Sequence, residues 1–164
     1  MRHIISILLQ NEAGALTRVT SLFSTRGYNI ESLSVAPTEN SEVSRLTMVT
    51  DCSDAVMDQI NKQLFKLVDV VNIVDMTEDT HFERELLLMK VRLNPDVNVA
   101  DILSAAGARV LDNTPANFTV ELTGTGVQID DFMNTLGSKS EILAVVRSGA
   151  MAVHRGATVL SSHL

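Results

Sequence analysis

The run Arg2-His3-Ile4-Ile5-Ser6-Ile7-Leu8-Leu9-Gln10-Asn11-Glu12-Ala13-Gly14-Ala15-Leu16-Thr17-Arg18-Val19 changes its hydrophobic period partway along. From Arg2 to Leu9, Ile5, Ile7 and Leu9 fall on one face of a strand, Ile4 and Leu8 on the other. Apolar residues on both faces predict a central, buried strand. Asn11-Glu12-Ala13-Gly14 breaks the run. Beyond it Leu16, Val19 and Phe23 recur at i, i+3 and i+7 while Arg18, Ser21 and Thr25 face elsewhere, the pattern of an amphipathic helix. Gly27 then stands where helix C-termini favour glycine.

Reading onward, a second strand covers Asn29 to Ala36 and stops at Pro37; after the polar Thr38–Ser41 turn a third runs from Val43 to Thr50. Ser53 is a natural N-cap for a helix carrying Val56, Ile60, Leu64 and Leu67. Val70 to Met76 is the fourth strand. The order β-α-β-β-α-β is the ferredoxin-like unit.

The polar stretch Thr77-Glu78-Asp79-Thr80-His81 reads as a connection, and beyond it the rhythm begins again. Glu85 to Leu93 alternates, with Leu87, Met89, Val91 and Leu93 inward and Lys90 and Arg92 outward. Val99, Ile102, Leu103 and Ala106 form a helical stripe closed by Gly107. Strands at Ala108–Asn113 and Phe118–Thr123 flank a Thr114-Pro115-Ala116-Asn117 turn. Ile129, Phe132, Met133 and Leu136 make the next stripe, closed by Gly137, and Ile142–Val146 the last strand. The expectation is an α+β protein of two tandem ferredoxin-like (βαββαβ) domains: residues 1–77, a linker at 78–82, and residues 83–164. Everything after Gly149 is weakly patterned and expected to be a loose tail of the second domain.

Composition narrows what such a chain can do. With 13 basic and 20 acidic residues among 164, its net charge is −7, so a phosphate backbone would repel it. The one cysteine, Cys52, has no internal partner and stands beside Asp51, which disfavours a thiolate; it reads as a bystander in a reducing compartment. The N-terminal residues show no apolar signal stretch and no run approaches a membrane span, so a cytoplasmic location is expected.

Catalytic chemistry is hard to assemble. His3, His81, His154 and His163 include no helical metal pair, and Cys52 has no neighbouring ligand. Gly124-Thr125-Gly126 reads as a strand-to-helix turn rather than a phosphate cradle. Asp130-Asp131 reads as first-turn acids complementing a helix dipole. Glu83 and Glu85 read as solvated edge charges beside Arg84. The chain is expected to bind, not to catalyse; turnover by the isolated chain would instead indicate an enzyme whose site is assembled across a dimer.

The strand-to-helix turn offers a place to bind. Gly14-Ala15 leave first-turn N–H groups accessible, and a helix N-terminus with free donors suits a carboxylate. Asn11 offers an amide carbonyl to an ammonium and an N–H to a carboxylate, and Leu16 could cover a short branched side chain. The plainer alternative is that Asn11 simply caps the helix and Gly14 permits the turn.

The run Leu8–Arg18 resembles the opening of an ACT domain, the amino-acid-sensing module of metabolic enzymes. Leu22-Phe23-Ser24-Thr25-Arg26-Gly27-Tyr28-Asn29-Ile30-Glu31-Ser32-Leu33, Val35-Ala36-Pro37-Thr38, Ser44-Arg45-Leu46-Thr47, Gln63–Val71 and His81-Phe82-Glu83-Arg84-Glu85-Leu86 are more specific. They resemble the small regulatory subunits of acetolactate synthase (acetohydroxyacid synthase) over nearly the whole chain. The resemblance implies that residues 1–77 are an ACT domain that pairs side by side in a homodimer with valine bound between chains. Asn11, Gly14, Ala15 and Leu16 would then hold the amino acid from one chain, Asn29 and Ile30 from the other. The second domain lacks an equivalent of Asn11–Gly14 and is not expected to hold an amino acid of its own.

The same resemblance implies a catalytic large subunit that carries thiamine diphosphate, FAD and magnesium, with no cofactor or metal in this chain. The chain would activate that partner and confer feedback inhibition in branched-chain amino-acid biosynthesis. The alternative is a free-standing ACT-type sensor controlling another enzyme or transcription, although no helix-turn-helix pattern is visible.

Overall fold

In the computed structural model, which describes residues 1–161, the chain divides into two compact units. His163 lies outside the described residues. One unit comprises residues 1–82 together with the segment from Ala150 onward; the other is Glu83–Gly149.

The first unit contains β1 (Arg2–Gln10), α1 (Ala15–Thr25), β2 (Ile30–Pro37), β3 (Val43–Asp51), α2 (Asp54–Leu64) and β4 (Val70–Asp75). Its strands are ordered β2-β3-β1-β4, all antiparallel. This is the expected βαββαβ arrangement, with β1 between two neighbours and β2 at an edge. Ser53 caps α2 as its sequence position suggests, its side chain accepting from the Val56 N–H. Val19 and Phe23 of α1 and Met57, Ile60 and Leu64 of α2 close over Ile5, Ile7, Leu9, Leu46 and Met48 of the sheet. Each such side chain removed from water contributes about 1.5–3 kcal/mol before the entropy of ordering it is subtracted.

The opposite face of this sheet is covered too, which explains why β1 is apolar on both sides. The segment after Gly149 is not the loose tail expected from its weak patterning. It forms strand β9 (Met151–His154), and Ala150 and Ala152 pack on Ile4, Val49, Met76 and Val74 in a second, smaller apolar cluster. Arg45 Nη2 donates to the Ala152 carbonyl (3.2 Å), and Asn72 Nδ2 to that of Ser161 (3.0 Å). The signal is short because only alternate residues of a four-residue strand are buried, and the buried ones are small or polar: Ala152 and His154.

The other unit contains the continuation of β5 (His81–Arg92), then α3 (Ala100–Ala106), β6 (Arg109–Asn113), β7 (Asn117–Gly124), α4 (Gly126–Gly137) and β8 (Glu141–Arg147). β5 begins at His81, so the last two residues of the expected linker already belong to a strand. The order β6-β7-β5-β8 repeats the ferredoxin-like plan. Leu87, Met89 and Val91 point into a core shared with Phe118, Val120, Ile129, Phe132 and Leu136. Gly107, at φ 70°, ends α3 in the left-handed conformation that its sequence position predicts. Gly137, expected to close α4, is instead its last helical residue.

Candidate functional site

The turn from β1 into α1 is built around Gly14, whose φ of 88° lies in the left-handed region that side chains rarely adopt. It stands at the N-cap of α1 without a side-chain cap, so the helix N-terminus is left to whatever approaches it. Ala15 is buried beneath this terminus, and Leu16, about one-third exposed, stands beside it.

Asn11 does not cap the helix. Its Nδ2 donates to the Ser41 carbonyl (3.0 Å), its Oδ1 accepts from Ser44 Oγ (3.1 Å), and its backbone N–H donates to Glu42 (2.8 Å). The amide is therefore spent on the β2–β3 hairpin, with one hydrogen and one lone pair in reserve. A cleft of about 540 Å³ opens here, lined by Asn11, Glu12, Asn40, Ser41 and Glu42 with Val43 and Val71. Its two carboxylates suit an ammonium group.

Asn29 and Ile30 are not brought to this cleft within one chain. Ile30 pairs with Thr50, whereas Gln10, next to Asn11, pairs with Val43. Those two β3 positions are separated by the length of the strand, roughly 23 Å at the usual rise. The Asn29 backbone carbonyl accepts from Thr50 Oγ1 (2.7 Å), leaving its exposed side chain outside that bond. The six predicted residues thus fall into two groups at opposite ends of the sheet.

A residue that sequence reasoning left merely facing elsewhere holds the helix in place. Arg18 donates from Nε to Asp69 Oδ2 and from Nη2 to Asp69 Oδ1 (2.8 Å). The guanidinium holds the buried Asp69 carboxyl below the ordinary carboxylate range. An Arg and an Asp about fifty residues apart carry no periodic signal, so only the fold reveals the pair.

In the second unit, two of three sequence readings change. Thr125 does cap α4, reciprocally with Gln128, so Gly124-Thr125-Gly126 is the structural turn it was read as. Asp130 and Asp131, however, lie beyond the first turn, because α4 starts at Gly126. Asp130 Oδ1 accepts from Arg147 Nη1 (2.6 Å). Glu85 is buried rather than solvated: Arg147 reaches it with Nε (2.8 Å) and Nη2 (3.0 Å). Its two carboxylate partners raise the pKa of that guanidinium further. This triad ties β5, α4 and β8 together.

Burial is the chief cause of a raised Cys52 thiol pKa, with Asp51, Asp75 and Asp54 adding to it. Among the described residues no cluster of three or more His, Cys, Asp and Glu could hold a metal ion, and no helix is long and apolar enough to cross a membrane.

Known proteins share this arrangement. Residues 5–72 match the family described as "AHAS small subunit-like ACT domain", and residues 84–156 the one described as "Small subunit of acetolactate synthase". The chain is similar to the acetolactate synthase small subunit of Haemophilus influenzae, 44% identical over 161 residues covering 95% of this chain and 97% of that one. It is 41% identical over 162 residues to the acetolactate synthase isozyme 3 small subunit of Escherichia coli, covering 98% and 99% of the two chains. In crystal structures it is similar to the acetolactate synthase small subunit of Thermotoga maritima, with a TM-score of 0.87 at 30% identity over 96% of this chain and 99% of that one. The chain belongs to the acetolactate synthase small-subunit family, and its first unit is an ACT domain of that family's type.

Proposed function

We propose that this chain is the regulatory subunit of acetolactate synthase, activating a separate catalytic subunit and conferring feedback inhibition by valine. The observation that carries the effector reading is the uncapped N-terminus of α1 beside an acidic cleft, at the end of a sheet whose edge strand β2 is open. A free amino acid has an anionic end for the helix terminus and a cationic end for Glu12 and Glu42.

The separation of the two half-sites supports a homodimer. If β2 pairs antiparallel with β2 of a second copy, the strand starts of each chain arrive at the strand ends of the other. Asn29 and Ile30 of one chain then approach Asn11, Gly14, Ala15 and Leu16 of its partner. Such pairing satisfies the edge of β2, where Val35 is about two-fifths exposed. Valine bound between chains would favour one dimer conformation over another, and a coupling of about 1–3 kcal/mol suffices for a 5- to 150-fold effect. Thiamine diphosphate, FAD and magnesium would belong to the catalytic partner in the cytoplasm.

The test is acetolactate formation by the matching catalytic subunit, with and without this chain, across a valine titration. Stimulation that valine reverses supports the whole reading. Stimulation that valine leaves untouched retains the subunit role and removes the effector site. No stimulation overturns both.

A further inference from the structure

The outer face of the ACT sheet, opposite α1 and α2, carries a feature that amino-acid sensing at the α1 terminus does not use. Arg45 on β3 is half-buried beneath β9, with Nε donating to Ser6 Oγ (2.8 Å) and Nη2 to the Ala152 carbonyl (3.2 Å). Among the described residues no carboxylate pairs with it, unlike Arg18 or Arg147 in this chain. Both its partners are neutral acceptors. A guanidinium has five N–H donors in a fixed fork, and these two bonds leave most of them open. Desolvation alone holds its pKa below the ordinary guanidinium value.

This half-desolvated cation lines a cavity of about 530 Å³ between the sheet and the segment after Gly149. Leu8, Ala36, Met151, Val153 and Val159 give the cavity apolar walls, while Thr47 and Ser34 add hydroxyls. A partly buried cation without a counter-charge, beside open apolar volume, is unfavourable until an anion arrives. The combination fits a small molecule with one carboxylate and a short apolar body. An ammonium group is not required, because the one carboxylate lining the cavity, Glu39, is an exposed residue that forms no ion pair with Arg45 among the described residues.

We propose that the Arg45 cavity is a second ligand site, distinct from the α1 terminus, which takes a short-chain aliphatic monocarboxylate. Its carboxylate lies on the open donors of Arg45 and its apolar body lies against Leu8, Val153 and Val159. Occupancy would bridge β3 to the segment after Gly149, adding a charged contact to the one carbonyl that Arg45 now holds. The linings of the two cavities share Asn40 and Val43, but the groups that would hold the monocarboxylate, Arg45 with Leu8, Val153 and Val159, are none of those of the α1 cleft.

The experiment is a titration of the isotopically labelled full-length chain with isovalerate, followed by amide resonances of Thr47, Ala152 and Val153. Isovaleramide, equal in shape and uncharged, is the control. Saturable shifts are expected with isovalerate, and at least tenfold weaker binding with isovaleramide. Arg45→Met should abolish the shifts, whereas Asn11→Ala should leave them. Val153→Trp, which fills the cavity from a half-exposed position and keeps Arg45, should also block binding. Absent shifts, equal shifts for acid and amide, or shifts that persist in Val153→Trp would each overturn the proposal.

Discussion

Arg18 and Asp69 are joined by two parallel hydrogen bonds that tie the first turns of α1 to the turn ahead of β4. The Asp69 carbonyl also accepts the Gln10 N–H (2.8 Å), so one residue anchors both the end of β1 and the start of α1. The cleft beside Asn11 is therefore framed by a contact that is about fifty residues long in sequence.

Hydrogen bonding to Arg18 depresses the folded-state pKa of Asp69. The stabilisation is complete above the unfolded carboxylate value and is lost as pH falls through the depressed folded value. Thermal denaturation from pH 7 to pH 3 should therefore show Asp69→Asn melting below the wild type at neutral pH, with the gap closing in acid. A gap of constant size would remove the ion pair as its cause.

Gly14→Ala should destabilise the protein by about 1–2 kcal/mol, because φ is 88° and L side chains resist that region. A Cβ there would also lie 2.9 Å from Arg18 Nη1, pushing on the ion pair. Denaturant titration measures the loss. An aspartate at the same position carries this strain as well, so loss of effector response in Gly14→Asp would not by itself locate a ligand carboxylate.

If the effector site is shared between chains, Asn11→Ala and Asn29→Ala should each raise the half-inhibitory valine concentration roughly tenfold or more. Refolded mixtures of the two variants contain dimers with one wild-type site and one doubly altered site. Valine titration of such mixtures should recover a high-affinity phase absent from either variant alone. Absence of that phase would place both residues in one chain's site or in none.

Ala152→Asp should destabilise the first unit by about 1–3 kcal/mol, since it places a carboxylate among Ile4, Val49 and Met76. Hydrogen exchange at β1 and β3 amides should rise while β7 amides keep their protection. Unchanged exchange throughout would show that β9 does not contribute to the stability of the ACT sheet.

Arg147→Met leaves Glu85 buried without its two hydrogen bonds and should weaken the second unit by about 1–3 kcal/mol. Faster exchange is expected along β5 and α4, where the triad is anchored. The conservative Arg147→Lys should recover only part of the loss, because an ammonium cannot make the paired contact.

Much of the fold was legible because its elements are amphipathic and repeated. The period of β1 and of α1, the glycine after α3 and the Ser53 cap are local signals, each decided within a few residues. Departures arose where a neighbour remote in sequence changes a residue's surroundings. Glu85 reads as an edge charge until Arg147 is brought across from β8. Asn11 reads as a cap until the β2–β3 hairpin supplies Ser41 and Ser44. The segment from Ala150 reads as loose because small residues give little hydrophobic signal, yet small residues are what fit closely over a sheet.

By itself the sequence determined two βαββαβ units, an acidic chain, and a strand-to-helix turn at Gly14. These follow from periodicity, charge and local backbone preference, which act within a turn or a strand. Only the tertiary structure decided that Ala150–Ser161 returns to the ACT sheet, that Arg45 lies beneath it with no carboxylate partner among the described residues, and that Asn11 and Asn29 stand at opposite ends of one sheet. Such facts depend on which surfaces meet after folding, and contacts between residues tens of positions apart leave no period in the sequence to read.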